Sequence, residues 1–163
     1  MKFGSGDFVK LFADFGDTDS FKLVPAVRKV GSPCVDEGSC DYEKATLCAF
    51  EGAAAKIQVT FLACMDEQEG VSALEATKAC SSKSGLDYDI IASCYTSDHA
   101  QDLLAAASKT FNSYLPGRTT IPHTFVNDDD VSASYDALKS ALCANGSSAS
   151  VCARVTTDTS CVV

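Results

Sequence analysis

Nine cysteines in 163 residues constrain what this chain can fold into more than any other feature of its sequence. Thiols at this density are rare where glutathione keeps them reduced, so the count predicts disulfides and an oxidising compartment, either outside the cell or in an organelle lumen. The alternative is a reduced cytosolic protein with many buried cysteines. No secretory signal is visible, because Met1 and Lys2 run into Phe3-Gly4-Ser5-Gly6 without an apolar stretch.

The spacing of the cysteines does not by itself determine their pairing. Nine cysteines form four pairs with one left over, in far too many combinations to choose among. No Cys-x-x-Cys occurs in the chain, so thiol exchange between two cysteines on one helical turn has no candidate. Closing a loop of about 15 residues stabilises a fold by roughly 3 kcal/mol, so a structural role is sufficient to account for the cysteines.

Composition and charge exclude several classes of protein. With 46% hydrophobic and 21% charged residues, the chain has the composition of a folded domain rather than of a disordered one. Its net charge of −9 argues against nucleic acid or an anionic membrane surface as the main partner. No apolar run approaches the roughly 18 to 20 residues that span a bilayer, so no transmembrane segment is expected.

Apolar residues at helical spacing predict several helices. The first is expected to close near Gly16, two short helices are expected over 71–80 and 86–95, and Asp98 with Gln101 resembles a capping box at the start of a longer helix. The stripes that define the other helices are Phe8, Leu11, Phe12 and Phe15; Leu47, Phe50 and Ala54, within a helix from Glu43 to about Lys56; Leu103, Leu104, Ala107, Phe111 and Tyr114; and Val131, Tyr135, Leu138 and Leu142.

Strand signals are fewer. Phe21–Val27 is expected to form a strand whose Pro25 cannot donate to a ladder, and Thr124–Val126 is expected to form a short strand before a turn. Residues 57–64 fit either a strand or a helix, because apolar residues there follow both periods. The C-terminal segment Val151–Thr157 is β-prone.

Several short pieces of the sequence occur in a recognisable order. They are Leu23-Val24-Pro25; Cys34, Cys40 and Cys48; Ala63-Cys64-Met65-Asp66-Glu67; Cys80; Ile90-Ile91-Ala92-Ser93-Cys94; Ile121-Pro122 before Phe125-Val126-Asn127; and Cys143 with Cys152. In order and spacing, across residues 8 to 152, the chain resembles the gamma-interferon-inducible lysosomal thiol reductase family.

The resemblance implies an α/β fold: a thioredoxin-like sheet with a helical insertion, stabilised by disulfides. The single domain would cover residues 1–163, with the insertion over about 35–110 and a C-terminal tail at 150–163. Residues 57–64 would then be helical. Pro122 would match the proline beside the redox centre, which is cis in thioredoxin-like folds.

The chain also departs from the pattern of the family. Members carry a Cys-x-x-Cys at the start of the first helix, where the helix dipole stabilises a thiolate, and here that motif would fall at or before Met1. The central strand that precedes this helix is missing with it. The family's Cys-Gln-His-Gly signature is replaced by Cys34-Val35-Asp36-Glu37. These departures predict no catalytic residue in this chain.

Resemblance and proximity in sequence together imply four disulfides. The implied pairs are Cys34 with Cys40, Cys64 with Cys80, Cys48 with Cys94, and Cys143 with Cys152. These pairs leave Cys161 over. Its thiol is expected to be free, to link to another chain, or to pair with a cysteine on the N-terminal side.

The remaining polar motifs indicate little chemistry. A metal site is not expected, because His99 and His123 are the only histidines, and no cofactor is expected either. His123 follows Pro122 and is interpreted as a half-buried strand histidine, while the run Asp128-Asp129-Asp130 is interpreted as a solvated, helix-capping charge run. Asn145-Gly146-Ser147 is a sequon, which makes Asn145 a candidate glycosylation site.

Together these features predict a non-catalytic binding or assembly subunit. A thioredoxin-like sheet without its central strand must be covered by another segment or by a protein partner, through strand addition or within a larger assembly. Two alternatives remain open. One is a thiol-disulfide reductase whose N-terminal strand and Cys-x-x-Cys precede this sequence, and the other is a secreted, disulfide-rich ligand or effector.

Overall fold

The computed structural model describes residues 6–27, 40–114 and 123–153, of which 63% are helical. The chain divides into two compact units: a terminal unit, Met1–Phe21 with Pro122–Val163, and a central unit, Lys22–Ile121. The elements in chain order are α1 (Asp7–Phe15), α2 (Asp41–Phe50), α3 (Ala55–Met65), α4 (Ala73–Ser84), α5 (Tyr88–Tyr95), α6 (Asp98–Tyr114), β1 (Thr124–Val126), β2 (Asp129–Val131), α7 (Tyr135–Ala144) and α8 (Ser150–Ala153).

The central unit is a group of helices organised around α2, which contacts α3, α4, α5 and α6. Phe61 of α3 is completely buried in its main core, and a second, smaller core forms around Val27 and Leu104. Burial of such side chains is the main favourable contribution to the stability of this unit. The main core consists of Cys48, Ala49, Phe61, Cys64, Met65, Ala76, Cys80, Ile91 and Ala100.

Helix α4 has defined signals at both ends. Ser72 and Glu75 form a capping box, in which the Ser72 hydroxyl accepts from the Glu75 amide and the Glu75 carboxylate accepts from the Ser72 amide. At the other end Gly85 adopts φ 71°, the left-handed conformation that terminates helices. These two signals fix the length of the helix that carries Cys80.

The terminal unit pairs α1 with α7 and packs a small antiparallel hairpin against α7. In the hairpin Thr124 lies opposite Val131 and Val126 lies opposite Asp129, and Asn127 makes the turn with φ 56°. The apolar stripe of α1 lies in the core, as its spacing predicts. That core consists of Phe8, Leu11, Phe15, Val126, Tyr135, Leu138 and Ala149.

The prediction of a strand over Phe21–Val27 is wrong, because this segment has no regular secondary structure. The Val27 amide donates to the Pro25 carbonyl at 3.0 Å, which closes a three-residue turn that a ladder strand does not contain. Pro25 lacks an amide proton of its own. Val27 is nevertheless 2% exposed, so the apolar pattern reflects burial in the smaller core of the central unit.

Several predicted boundaries also change. The helix predicted from Glu43 to Lys56 ends at Phe50, because Gly52 adopts φ 68° and α3 begins at Ala55. The helical alternative for residues 57–64 is confirmed by α3. Val131 lies in β2 rather than in the last helix, and residues 151–153 form part of α8 rather than a strand.

The α/β prediction is confirmed only in coarse form: a mostly helical protein with a small sheet and disulfides. Among the described residues the sheet contains two strands of three residues each. Cys34, Pro122 and Cys161, together with residues 154–163 of the predicted tail, lie outside the described residues. Asp98 is the first residue of α6 rather than the residue before it, so it does not occupy the predicted cap position.

Candidate functional site

Disulfides occupy every cysteine that the structure describes. Three of the four expected pairs are present, namely Cys48–Cys94, Cys64–Cys80 and Cys143–Cys152. Cys40 is disulfide-bonded as well. None of the three bonds joins cysteines on one helical turn, since their sequence separations are 46, 16 and 9.

Each of these disulfides connects two different helices. Cys48–Cys94 joins α2 to α5, Cys64–Cys80 joins α3 to α4, and Cys143–Cys152 joins α7 to α8. Cys80 is completely buried, while Cys48 and Cys64 are each 5% exposed. Inter-helix bonds constrain the fold, and Cys64–Cys80, buried at both ends, offers little access to a substrate disulfide, whereas Cys94, Cys143 and Cys152 are partly exposed.

His123, which follows the predicted redox-centre proline, lies beside the hairpin. Its Nδ1 is 3.5 Å from a carboxylate oxygen of Asp130, and its ring stacks on Phe125 with 6.5 Å between centroids. The Nε2 atom is buried and has no hydrogen-bond partner. His123 is only partly exposed, in agreement with its interpretation as a half-buried histidine, although it precedes β1 rather than lying within it.

The described part of the terminal unit is strongly acidic. Asp128 in the turn of the hairpin and Asp129 and Asp130 in β2 form an exposed acidic run, the hairpin tip. They do not cap α7 as predicted, because the Ser134 hydroxyl accepts from the Ala137 amide there. Over residues 6–21 and 123–153 two lysines, Lys10 and Lys139, accompany eight aspartates: Asp7, Asp14, Asp17, Asp19, Asp128, Asp129, Asp130 and Asp136.

Both of these lysines lie over the same aromatic ring. Lys10 Nζ is 3.7 Å from the centroid of Tyr135, and Lys139 Nζ is 6.0 Å from it. The Tyr135 hydroxyl donates to the Asp14 carboxylate at 2.5 Å, which links α7 to α1. The two cations therefore pack against one ring within the unit, where they keep their charge and offset only two of the eight described aspartates.

A cluster of three side chains of metal-binding type lies in the central unit and was not predicted from sequence. Ligand atoms of Glu51, Cys94 and His99 all lie within 4.8 Å of one another, and His99 Nε2 is 2.7 Å from Glu51 Oε1. Because the Cys94 sulfur is bonded to Cys48, it is not a thiolate in this state. The spacings Cys48-x-x-Glu51 and Cys94-x4-His99 indicate the cluster only once the pairing of Cys48 with Cys94 is known.

Asn145, the candidate glycosylation site, is exposed at the C-terminal end of α7. Its side-chain amide donates to the Ala141 carbonyl, and its Oδ1 accepts from the side-chain amide of Asn127 at 3.0 Å. Asn145 therefore links the end of α7 to the turn of the hairpin in the same unit.

No protein-family model, curated protein or solved structure matches this chain. Within residues 6–27, 40–114 and 123–153, no helix combines the length and apolarity needed to cross a bilayer.

Proposed function

We propose that this chain is a non-catalytic binding or assembly subunit with a thioredoxin-like fold of the gamma-interferon-inducible lysosomal thiol reductase type. It acts outside the cell or in an oxidising lumen, and its ligand is another protein. The observation that carries the proposal is that all seven described cysteines are closed in disulfides. A thiol reductase needs an accessible cysteine pair that alternates between dithiol and disulfide, and no Cys-x-x-Cys occurs in the sequence.

The disulfides also support the proposed compartment. Bonds that join separate helices persist where no reducing system acts on them, as in secreted and lumenal proteins. The partly buried Cys143–Cys152 bond of the terminal unit and the more deeply buried bonds of the central unit agree with this environment.

Charge indicates the chemistry of the partner. The hairpin tip presents Asp128, Asp129 and Asp130 to solvent, in a unit whose described residues include eight aspartates and two lysines. Surfaces of one sign raise the association rate of partners of the opposite sign. A protein with a basic surface patch is therefore the partner that this unit fits best.

A thiol-exchange assay tests the non-catalytic part of the proposal. The purified chain is added to insulin and a small thiol, and precipitation of the reduced insulin B chain is followed. We expect the rate of the protein-free control. Acceleration that disappears after alkylation of the protein would instead favour the reductase alternative, and the same assay on protein purified from its natural source tests whether an upstream Cys-x-x-Cys exists.

Zero-length cross-linking tests the binding part. A carbodiimide couples exposed carboxylates to lysines of a bound protein, so natural-source fractions should yield an adduct through the hairpin tip. Replacing Asp128, Asp129 and Asp130 by Asn should abolish this adduct. The matched control replaces the exposed Asp89, Asp98 and Asp102 of the central unit by Asn and should leave the adduct intact. Equal adducts from both variants would contradict the assignment of the binding surface.

A further inference from the structure

Three side chains of metal-binding type converge at one place in the central unit, and a fourth, Cys48, is bonded to one of them. Glu51 and His99 lie in direct contact, and the Cys94 sulfur is within 4.8 Å of both ligand atoms. Cys48 contributes a second sulfur, because it is covalently bonded to Cys94. The set of two sulfurs, one imidazole nitrogen and one carboxylate oxygen is a donor set that Zn²⁺ accepts.

The ends of three helices hold the four side chains. Cys48 lies in the last turn of α2, and Glu51 is the residue that directly follows this helix, three positions after Cys48. Cys94 lies in the last turn of α5, and His99 is the second residue of α6. Because α2 contacts both α5 and α6, and α5 contacts α6, packing keeps the four positions together independently of the disulfide.

We propose that reduction of the Cys48–Cys94 disulfide creates a Zn²⁺ site formed by Cys48, Cys94, His99 and Glu51. A dithiol reductant transfers two electrons and two protons to the bond, which opens to two thiols while the dithiol becomes a disulfide. Zn²⁺ then binds both sulfurs as thiolates, and the two thiol protons pass to solvent. The disulfide and the metal site are therefore mutually exclusive states of the same two cysteines.

The geometry permits this conversion with small movements. Zn–S distances of about 2.3 Å in a tetrahedral site place the two sulfurs ~3.8 Å apart. Rotation of the two cysteine side chains achieves that separation, since their Cα atoms are 5.8 Å apart. Glu51 and His99 are each about half exposed, which leaves a path for the ion to enter from solvent.

The Cys64–Cys80 bond offers an internal comparison. It also joins two helices of the central unit, yet among the described residues Glu51, Cys94 and His99 are the one group of three ligand-type side chains with converging ligand atoms. Reduction of Cys64–Cys80 therefore gives two thiols with no nitrogen ligand beside them. It should not create a comparable site.

Cobalt binding tests the proposal, because Co²⁺ occupies zinc sites and its thiolate bonds absorb in the near ultraviolet. The full chain is titrated with Co²⁺ alone under anaerobic conditions, with and without prior reduction by a phosphine. We expect one Co²⁺ per reduced chain, displaced by Zn²⁺, and no thiolate band from the oxidised chain. Circular dichroism before and after reduction monitors the helices.

The variants separate this site from unspecific binding by free thiols. His99→Ala and Glu51→Gln change exposed residues and should raise the dissociation constant at least tenfold, since even residues behind a ligand change affinity about 10–100-fold. His123→Ala, which removes the other histidine, and the pair Cys64→Ala with Cys80→Ala should leave the constant unchanged. A cobalt band that is insensitive to His99→Ala, or that is lost with Cys64 and Cys80, would overturn the proposal.

Discussion

The disulfides of the central unit make a quantitative prediction about its stability. Replacing Cys48 and Cys94 by Ala opens a loop with a sequence separation of 46, within which the Cys64–Cys80 bond already closes 16 residues. The effective loop is therefore about 30 residues long, and chain entropy assigns it a contribution of ~3.7 kcal/mol to the free energy of unfolding. Replacing Cys64 and Cys80 instead should cost about 3 kcal/mol.

Denaturant unfolding followed by far-ultraviolet circular dichroism measures both losses from the midpoints and slopes of the transitions. As a control, replacing Cys143 and Cys152, whose separation is 9, should cost the least, about 2.7 kcal/mol. The two central-unit variants should remain helical at low denaturant. A loss below about 1 kcal/mol for Cys48 and Cys94 would refute the reasoning, because it would mean that the bond restricts the unfolded chain far less than the entropy of loop closure requires.

Three further predictions concern single side chains. Phe61→Ala should lower the free energy of unfolding by about 3–5 kcal/mol, because the ring is 0% exposed and a cavity would remain. In denaturant unfolding, a loss below about 1 kcal/mol would contradict the place of Phe61 in the core. Tyr135→Phe removes the hydrogen bond to Asp14 and should cost about 1.5 kcal/mol in the same assay, whereas a loss near zero would mean that the bond contributes nothing. Hydrogen bonds from the Ser72 side chain and amide lower the pKa of Glu75 below its ordinary value of 4.5. The stabilising effect of the capping box is therefore fully present above pH 4.5 and is lost as the pH falls through the lowered pKa of Glu75. An NMR titration of the Ser72 amide proton should have its midpoint below 4.5, and Glu75→Gln should abolish the titration.

Elements with a strong local pattern could be predicted from the sequence. The stripe Phe8, Leu11, Phe12 and Phe15 is found as α1, because every member of it is apolar at helical spacing and, apart from Val9, its solvent-facing neighbours are polar or small. Phe21–Val27 is the opposite case. Its run of apolar residues resembles a strand, but Val27 is buried in a cluster with Cys40 and Leu104, which are distant in the sequence, and Val27 closes a turn with Pro25.

The disulfides, the Glu51–His99 contact and the acidic run also differ in how far the sequence alone predicts them. Short separations of 16 and 9 favoured the Cys64–Cys80 and Cys143–Cys152 pairs, whereas Cys48–Cys94, with a separation of 46, was expected from the resemblance alone. The contact between Glu51 and His99 could not, because it joins residues 48 positions apart and depends on how α2 and α6 pack. The acidic run at the hairpin tip was visible in the sequence, whereas the position of both nearby lysines over Tyr135 became visible only in the folded unit.

The terminal unit is assembled from two stretches of chain with 100 residues between them, and this has a consequence for biosynthesis. At about 5–20 residues per second, the ribosome needs roughly 5–20 s after Phe21 before it reaches Pro122. During that interval Phe8, Leu11 and Phe15 have been made, but Leu138 and the rest of α7 have not. The apolar stripe of α1 is then an exposed, aggregation-prone surface on the nascent chain. A chaperone that covers this stripe until translation ends would protect the protein from aggregation.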